Sequence, residues 1–200
     1  MNIIELYREN RNYLIISTLI FVGAFFIGYF LSGFLDILLA PIMREFKKSV
    51  IEEGITIFSI FSHNLQAIIL LYLGGLSLGI FTGLFLALNG LFMGYFATKV
   101  PMVDFILLVA PHGIFEIPGL IIASVAGFKL SSFLIQFIGG LIKISGPFTV
   151  KLKRSLNENM KEFKDSLVIL LIAVILIFIA AIIESELTLS LYYIIKGFMG

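Results

Sequence analysis

The chain has no cysteine and no tryptophan, only 2 histidines and 5 prolines, and charged side chains at 14% of its 200 positions. Without cysteine there is no disulfide framework, no thiolate nucleophile and no cysteine-based metal site. A helix with two imidazoles four residues apart is missing, and a closed zinc site needs four ligands, so a metallohydrolase is a remote reading. Without tryptophan, an interfacial aromatic belt has to come from the 7 Tyr and some of the 21 Phe. A net charge of +1 gives no bulk electrostatic case for nucleic acid. The first apolar run is too long for a signal-peptide core and lacks a small-residue cleavage site, so it reads as a retained membrane helix. From these absences we expect no enzyme: no catalytic residue, no cofactor-binding residue, no metal ligand and no cofactor.

What the chain does have is apolar length. It is 60% hydrophobic, with a mean hydropathy of +1.09, where soluble domains run at roughly 45–50% apolar and about 25% charged. The expected fold is therefore all-α: a single membrane domain over 1–200, a polytopic bundle of five or six membrane helices with a broken or re-entrant central segment. Its expected place is the cell membrane, multi-pass, with the lipid bilayer and other membrane proteins as partners, a homodimer as one possibility, and no nucleic acid.

Residues 1–11 read as an amphipathic helix, with Ile3, Ile4 and Tyr7 on one face and Glu5, Arg8 and Glu9 on the other. Tyr13 to Ala40 reads as the first span, since about 20 apolar residues suffice. The stretch 41–61 reads as an interfacial linker, with Ile42, Phe46, Val50 and Ile57 spaced for a surface helix. Asn64 to Leu88 reads as the second span. In it, Gly75, Gly79 and Gly83 stand four apart, on one stripe of a helix, where small residues let two backbones approach closely. Asn89-Gly90 reads as a turn. Between Gly90 and Ile144, Lys99, Asp104 and two prolines suggest half-helices or re-entrant hairpins. The segment 147–166 holds Lys151, Lys153, Arg154, Lys161 and Lys164, and reads as a basic cytoplasmic loop by the positive-inside rule. The last span is Leu167 to Ile183, closing on Glu184.

The candidate site is "APHGIFEIPG", Ala110 to Gly119. His112 and Glu116 stand four residues apart, on one helix face, between Pro111 and Pro118. Each proline lacks an N–H and interrupts the helical ladder, so the pair reads first as polar groups that satisfy freed carbonyls. It reads second as a proton or ion site, because ionisable groups inside a membrane face the interior and mark pathways. Asn64 and Asn89 read as caps or turn residues, His63 as an interfacial histidine, and Glu184 as an interfacial carboxylate.

The order of an Asn-led glycine-rich span, then "NGLFMG", then "PHGIFEIPGLIIASVAG", then a last span closing on "AAIIESELT", resembles the stage II sporulation protein M family of polytopic membrane proteins. The resemblance covers most of the chain from about His63, and its most specific part is the P-H-G-x-x-E-x-P stretch. Carried over by position, the family's recurring polar residues fall on Asn64, Asn89, Gly90, His112, Gly113, Glu116 and Glu184. The resemblance implies an anchoring role: the family's namesake works in a complex with peptidoglycan-degrading proteins, as membrane anchor and not as hydrolase. The expected function is a non-catalytic scaffold or assembly component of a membrane complex. The rival is a small channel or proton-coupled transporter built on His112 and Glu116, and an intramembrane hydrolase is the remote third.

Overall fold

The computed structural model describes residues 3–53 and 56–188, and among them every regular element is helical. They are α1 (Ile3–Phe30), α2 (Ser32–Glu53), α3 (Ile57–Leu73), a 3-10 turn (Gly74–Ser77), α4 (Ile80–Ala97), α5 (Met102–Lys143), α6 (Phe148–Ile183) and a π turn (Glu184–Thr188). Five stretches are long and apolar enough to cross a membrane: α1, α3 with its 3-10 turn, α4, α5, and α6 with its π turn.

The first apolar run is divided at Leu31. Backbone hydrogen bonds continue across the joint, from Leu31 N–H to Ile27 and from Leu35 N–H to Leu31, but the span closes at Phe30 and α2 begins at Ser32. Residues 3–11 are the first turns of α1 and not a separate helix. Their bundle-facing side chains are Leu6 and Asn10, whereas Ile4 and Tyr7 are exposed. α2 runs through Pro41. Ile42 is exposed and Met43 buried on α2, while the side chains of Phe46 and Val50 lie outside the described residues. α3 starts on a capping box in which Thr56 and Ser59 bond each other's backbone.

The break in the middle of the chain lies at Gly74–Gly79. There the expected second span turns back on itself as two short helices. Leu78 and Gly79 both take positive φ, 58° and 87°, a conformation open to glycine and costly for a branched chain such as leucine. A turn packed against another helix must satisfy the carbonyls it frees. Hydroxyls do so here: Thr82 Oγ1 donates to Leu71 O at 2.9 Å, Ser131 Oγ to Gly75 O at 2.9 Å and Ser77 Oγ to Gly74 O at 2.6 Å. Ser77 Oγ also accepts from Phe81 N–H and so starts α4.

Two expected breaks are absent. Asn89-Gly90 lies inside α4, and α5 is continuous for 42 residues through both Pro111 and Pro118. A proline deletes one ladder bond and crowds one carbonyl. Transmembrane helices tolerate that when neighbours support them, and α6 with its π turn lies antiparallel along α5 from His112 to Gly140. The register of that pairing is marked by Gly119 against Ile177, Lys129 against Glu162, and Gly140 against Ser155. The expected basic loop is likewise helical, because it forms the first half of α6.

α1 and α4 run in the same direction in close contact. A Cβ on Gly90 would stand 2.5 Å from Phe21 O. One on Gly94 would overlap Phe25 O, and one on Gly28 would overlap Leu91 O. This is the small-xxx-small contact of membrane helices. The apolar core joins α1, α3, α4, α5 and α6 through Phe21, Ile68, Leu86, Leu120 and Ile177. At 1.5 Å per residue α5 is about 63 Å long, and a bilayer with its headgroups is about 40–45 Å thick. The α5–α6 hairpin is therefore longer than a bilayer is thick.

At the root of this hairpin, α1, α5 and α6 share a charged cluster. Lys129 is 4% exposed and pairs with Glu162 at 2.8 Å. Lys161 pairs with Glu9 at 2.5 Å. At the opposite end, α2 is tied to α4 by Asp36, which accepts from Tyr95 Oη at 2.7 Å and pairs with Lys99 at 2.6 Å. Leu39 and Met43 of α2 pack on Tyr95 beside it.

Candidate functional site

His112 and Glu116 lie one helical turn apart on α5 and face inward. His112 is 8% exposed. Its Nε2 stands 3.5 Å from Glu116 Oε2, and its Nδ1 stands 3.4 Å from Thr188 Oγ1. Both contacts are long for hydrogen bonds, so the ring is placed between two oxygens without being clamped to either. Glu184 begins the π turn, an element that packs against α5.

The π turn makes this gathering possible. α6 ends at Ile183, and widening by one residue per turn lets Thr188 Oγ1 reach both His112 and the Ile183 carbonyl. The second oxygen facing His112 thus comes from Thr188, four residues beyond Glu184. Thr188 carries no distinctive sequence signal, because its role depends on a π turn that periodicity does not reveal. The cluster consists of one imidazole, two carboxyls and one hydroxyl. Such a set can pass or hold a proton, or donate to carbonyls around Pro111 and Pro118. Among the described residues no group of three or more His, Asp or Glu is placed to hold a metal ion.

The other candidates are dispersed. Gly113 is buried beside His112, and a Cβ there would meet Val109 Cγ1 at 3.3 Å. Asn64 lies in the second turn of α3, an element that packs against the π turn. Asn89 donates to Phe85 O of its own helix at 2.8 Å. Neither asparagine is a cap: Thr56 and Gly79 hold the two N-cap positions. His63 is exposed on α3.

The three stripe glycines do not share one helix face. Gly75 belongs to the 3-10 turn against the Gly127 backbone. Gly79 has its left-handed φ, and a Cβ there would meet Phe128 at 3.0 Å. Gly83 has only ordinary contacts, at 3.9 Å. The residues that sequence reasoning missed are Gly90, Gly94 and Gly28 as packing glycines, and Ser77, Thr82 and Ser131 as hydroxyl donors. Gly90-x-x-x-Gly94 was the available signal for the first group.

Comparison with known proteins gives relatives of the same kind. The chain is 29% identical over 194 residues to an uncharacterized protein of Methanocaldococcus jannaschii, covering 92% of this chain and 84% of that one. A second uncharacterized protein of the same organism is 35% identical over 135 residues, covering 65% of this chain and 69% of that one. No solved structure matches the chain. The family described as Stage II sporulation protein M matches residues 17–189. That match takes in the second half of α1, all of the other crossing helices, and His112, Glu116, Glu184 and Thr188, and the chain belongs to the stage II sporulation protein M family.

Proposed function

We propose that this protein is a non-catalytic scaffold or assembly component of a complex in the cell membrane. The observation that carries the reading is the α5–α6 hairpin, an arm of regular helix that continues beyond the bilayer thickness. On its outward side α6 presents Lys153, Arg154, Asn157 and Glu158, a polar face suited to another protein. The bundle beneath it is held by backbone contacts at glycines, which favour one fixed shape. A photo-reactive residue at Asn157, in cells that make the protein naturally, is expected to give a discrete protein adduct. Lys153→Glu with Arg154→Glu should abolish it.

A second reading, proton-coupled transport, is favoured by the gathering of His112, Glu116, Glu184 and Thr188 between α5 and the π turn. Reconstituted vesicles decide between the two. In the scaffold reading they carry no proton flux, Glu116→Gln folds normally, and Glu116→Leu destabilises. A flux that Glu116→Gln stops, in a protein that still folds, overturns the scaffold reading.

A further inference from the structure

The apolar run that begins at Tyr13 is longer than one crossing. From Tyr13 to Phe30 the helix rises about 27 Å, close to the roughly 30 Å hydrocarbon core of a bilayer. Beyond Phe30 the side chains stay apolar and uncovered: Phe34 is 83% exposed and Ile37 is 91% exposed, both on α2.

Continuity with α1 gives the first sign of what covers them. Ladder bonds run across the joint, from Leu31 N–H to Ile27 O at 2.9 Å and from Leu35 N–H to Leu31 O at 3.0 Å, so α2 keeps the rotational phase of α1. At 3.6 residues per turn, Phe26 and Phe30 stand within about 20° of Leu19, and Ile37 returns to the Leu19 side after five whole turns. Leu19, Phe26 and Phe30 are exposed as well. They lie opposite Phe21, Phe25 and Gly28, which meet α4, and so form the lipid side of the span.

Height gives the second. Asp36, the neighbour of Ile37, is bonded to Tyr95 and Lys99, at the end of a crossing helix that closes at Ala97. Ile37 therefore stands where α4 leaves the membrane. Orientation gives the third. Leu39 and Met43 are buried on Tyr95, on the same side of α2 as Asp36, whereas Phe34, Ile37 and Leu38 point the other way and are left exposed. One side held by protein and one apolar side free at the membrane surface is the pattern of an interfacial helix. In a chain without tryptophan, Phe30 and Phe34 supply the rings at that level.

We propose that the first half of α2 is a lipid-binding face, which sets Phe34, Ile37 and Leu38 between the headgroups and acyl chains of the leaflet at the C-terminal end of α4. Asp36, Leu39 and Met43 hold the helix to α4 from its other side. α2 thus prolongs the lipid contact of α1 at the membrane surface without crossing. The proposal rests on the membrane-spanning reading of α1, and its test separates the two.

The absence of tryptophan allows single-Trp reporters. Leu19→Trp and Ile37→Trp, both at exposed positions, are placed singly in one-copy nanodiscs of phosphatidylcholine. The acyl chains carry bromine as quencher, either near the headgroup or near the chain end. Leu19→Trp is expected to be quenched, more strongly by bromine near the chain end; if neither lipid quenches it, the spanning reading fails. Ile37→Trp is expected to be blue-shifted, and quenched about twofold more by bromine near the headgroup than near the chain end, as for a ring at the interface. Leu38→Trp should repeat that result. With Leu19→Trp quenched, water-like emission from Ile37→Trp overturns the proposal. A blue shift without bromolipid quenching also overturns it, by assigning the face to a protein surface. Quenching of Ile37→Trp by bromine near the chain end that equals or exceeds the other overturns the interfacial placement.

Discussion

Asp36 ties α2 to the bundle with one side chain. Its carboxylate accepts from Tyr95 and meets the Lys99 ammonium, which also stands 4.6 Å over the Tyr95 ring. The Lys99 hydrogen bond first, and the Tyr95 bond second, hold the Asp36 carboxyl below its usual pKa. A carboxyl depressed in the folded state stabilises that state above the unfolded pKa of about 4, and the effect is lost as pH falls through the folded value. Lys99 is raised by the same pair, so its contribution is lost only at high pH. A spin label on a cysteine at Leu38, an exposed α2 position, should stay restrained from pH 8 to 5 and loosen as pH falls below about 4. With Asp36→Asn it should be loose throughout. At this scale His112 and Glu116 were legible in sequence, because an imidazole and a carboxyl at four-residue spacing between two prolines stand out inside apolar runs. Thr82, Ser131 and Thr188 were not. A hydroxyl in a membrane helix can bond its own backbone anywhere, and only tertiary placement sends these three to Leu71 O, Gly75 O and His112.

At the level of the helix, glycine spacing marks a packing device: Gly75 and Gly79 close on α5 at Gly127 and Phe128, Gly83 does not, and the three do not act as one stripe. Gly75, Gly79 and Gly83 have the spacing, yet a 3-10 turn and two positive φ angles come between them, so they never form one stripe. Gly90 and Gly94 have the same spacing inside an unbroken helix, and there the backbone of α1 closes in. Gly94→Ala should therefore lower detergent stability by about 1–3 kcal/mol or more, as overpacking of a tight contact does. Gly83→Ala should be neutral or slightly stabilising, since a helical glycine costs roughly 0.5–1 kcal/mol relative to alanine. Thermal melts of the two variants side by side give the comparison, and equal losses would discard the assignment. The prolines misled in the opposite direction. Local rules read breaks at Ala110-Pro111 and Ile117-Pro118, but α5 stays helical through both, packed against α6 and its π turn from His112 onward.

Across the whole molecule, composition alone was enough to read an all-α membrane bundle, because no other arrangement hides so much apolar chain. The crossing number needed the structure. α2 is not among the five stretches long and apolar enough to cross a membrane. Five crossings then put residue 3 and the hairpin at one end, and Thr188 at the other. Arg8, Arg11, Lys129, Lys143 and the cations of 147–166 gather at the hairpin end, against Arg44, Lys47, Lys48 and Lys99 at the other. By the positive-inside rule the hairpin end is expected on the cytoplasmic side. A cysteine at Asn157 should resist an impermeant maleimide on intact cells and react once they are opened, while one at Met102 should do the reverse. The opposite pattern inverts the orientation.

The pairing of Glu9 with Lys161 also constrains how the chain is made. The ribosome releases α1 first and must add 152 residues before its partner exists. Lys129 is in the same position, a cation on α5 whose carboxylate, Glu162, arrives only with α6. An inserting chain can therefore settle α1 against α4 through Gly90 and Gly94 early. Its charged root cannot close until α5 and α6 seat together, which makes that hairpin the last part of the bundle to assemble.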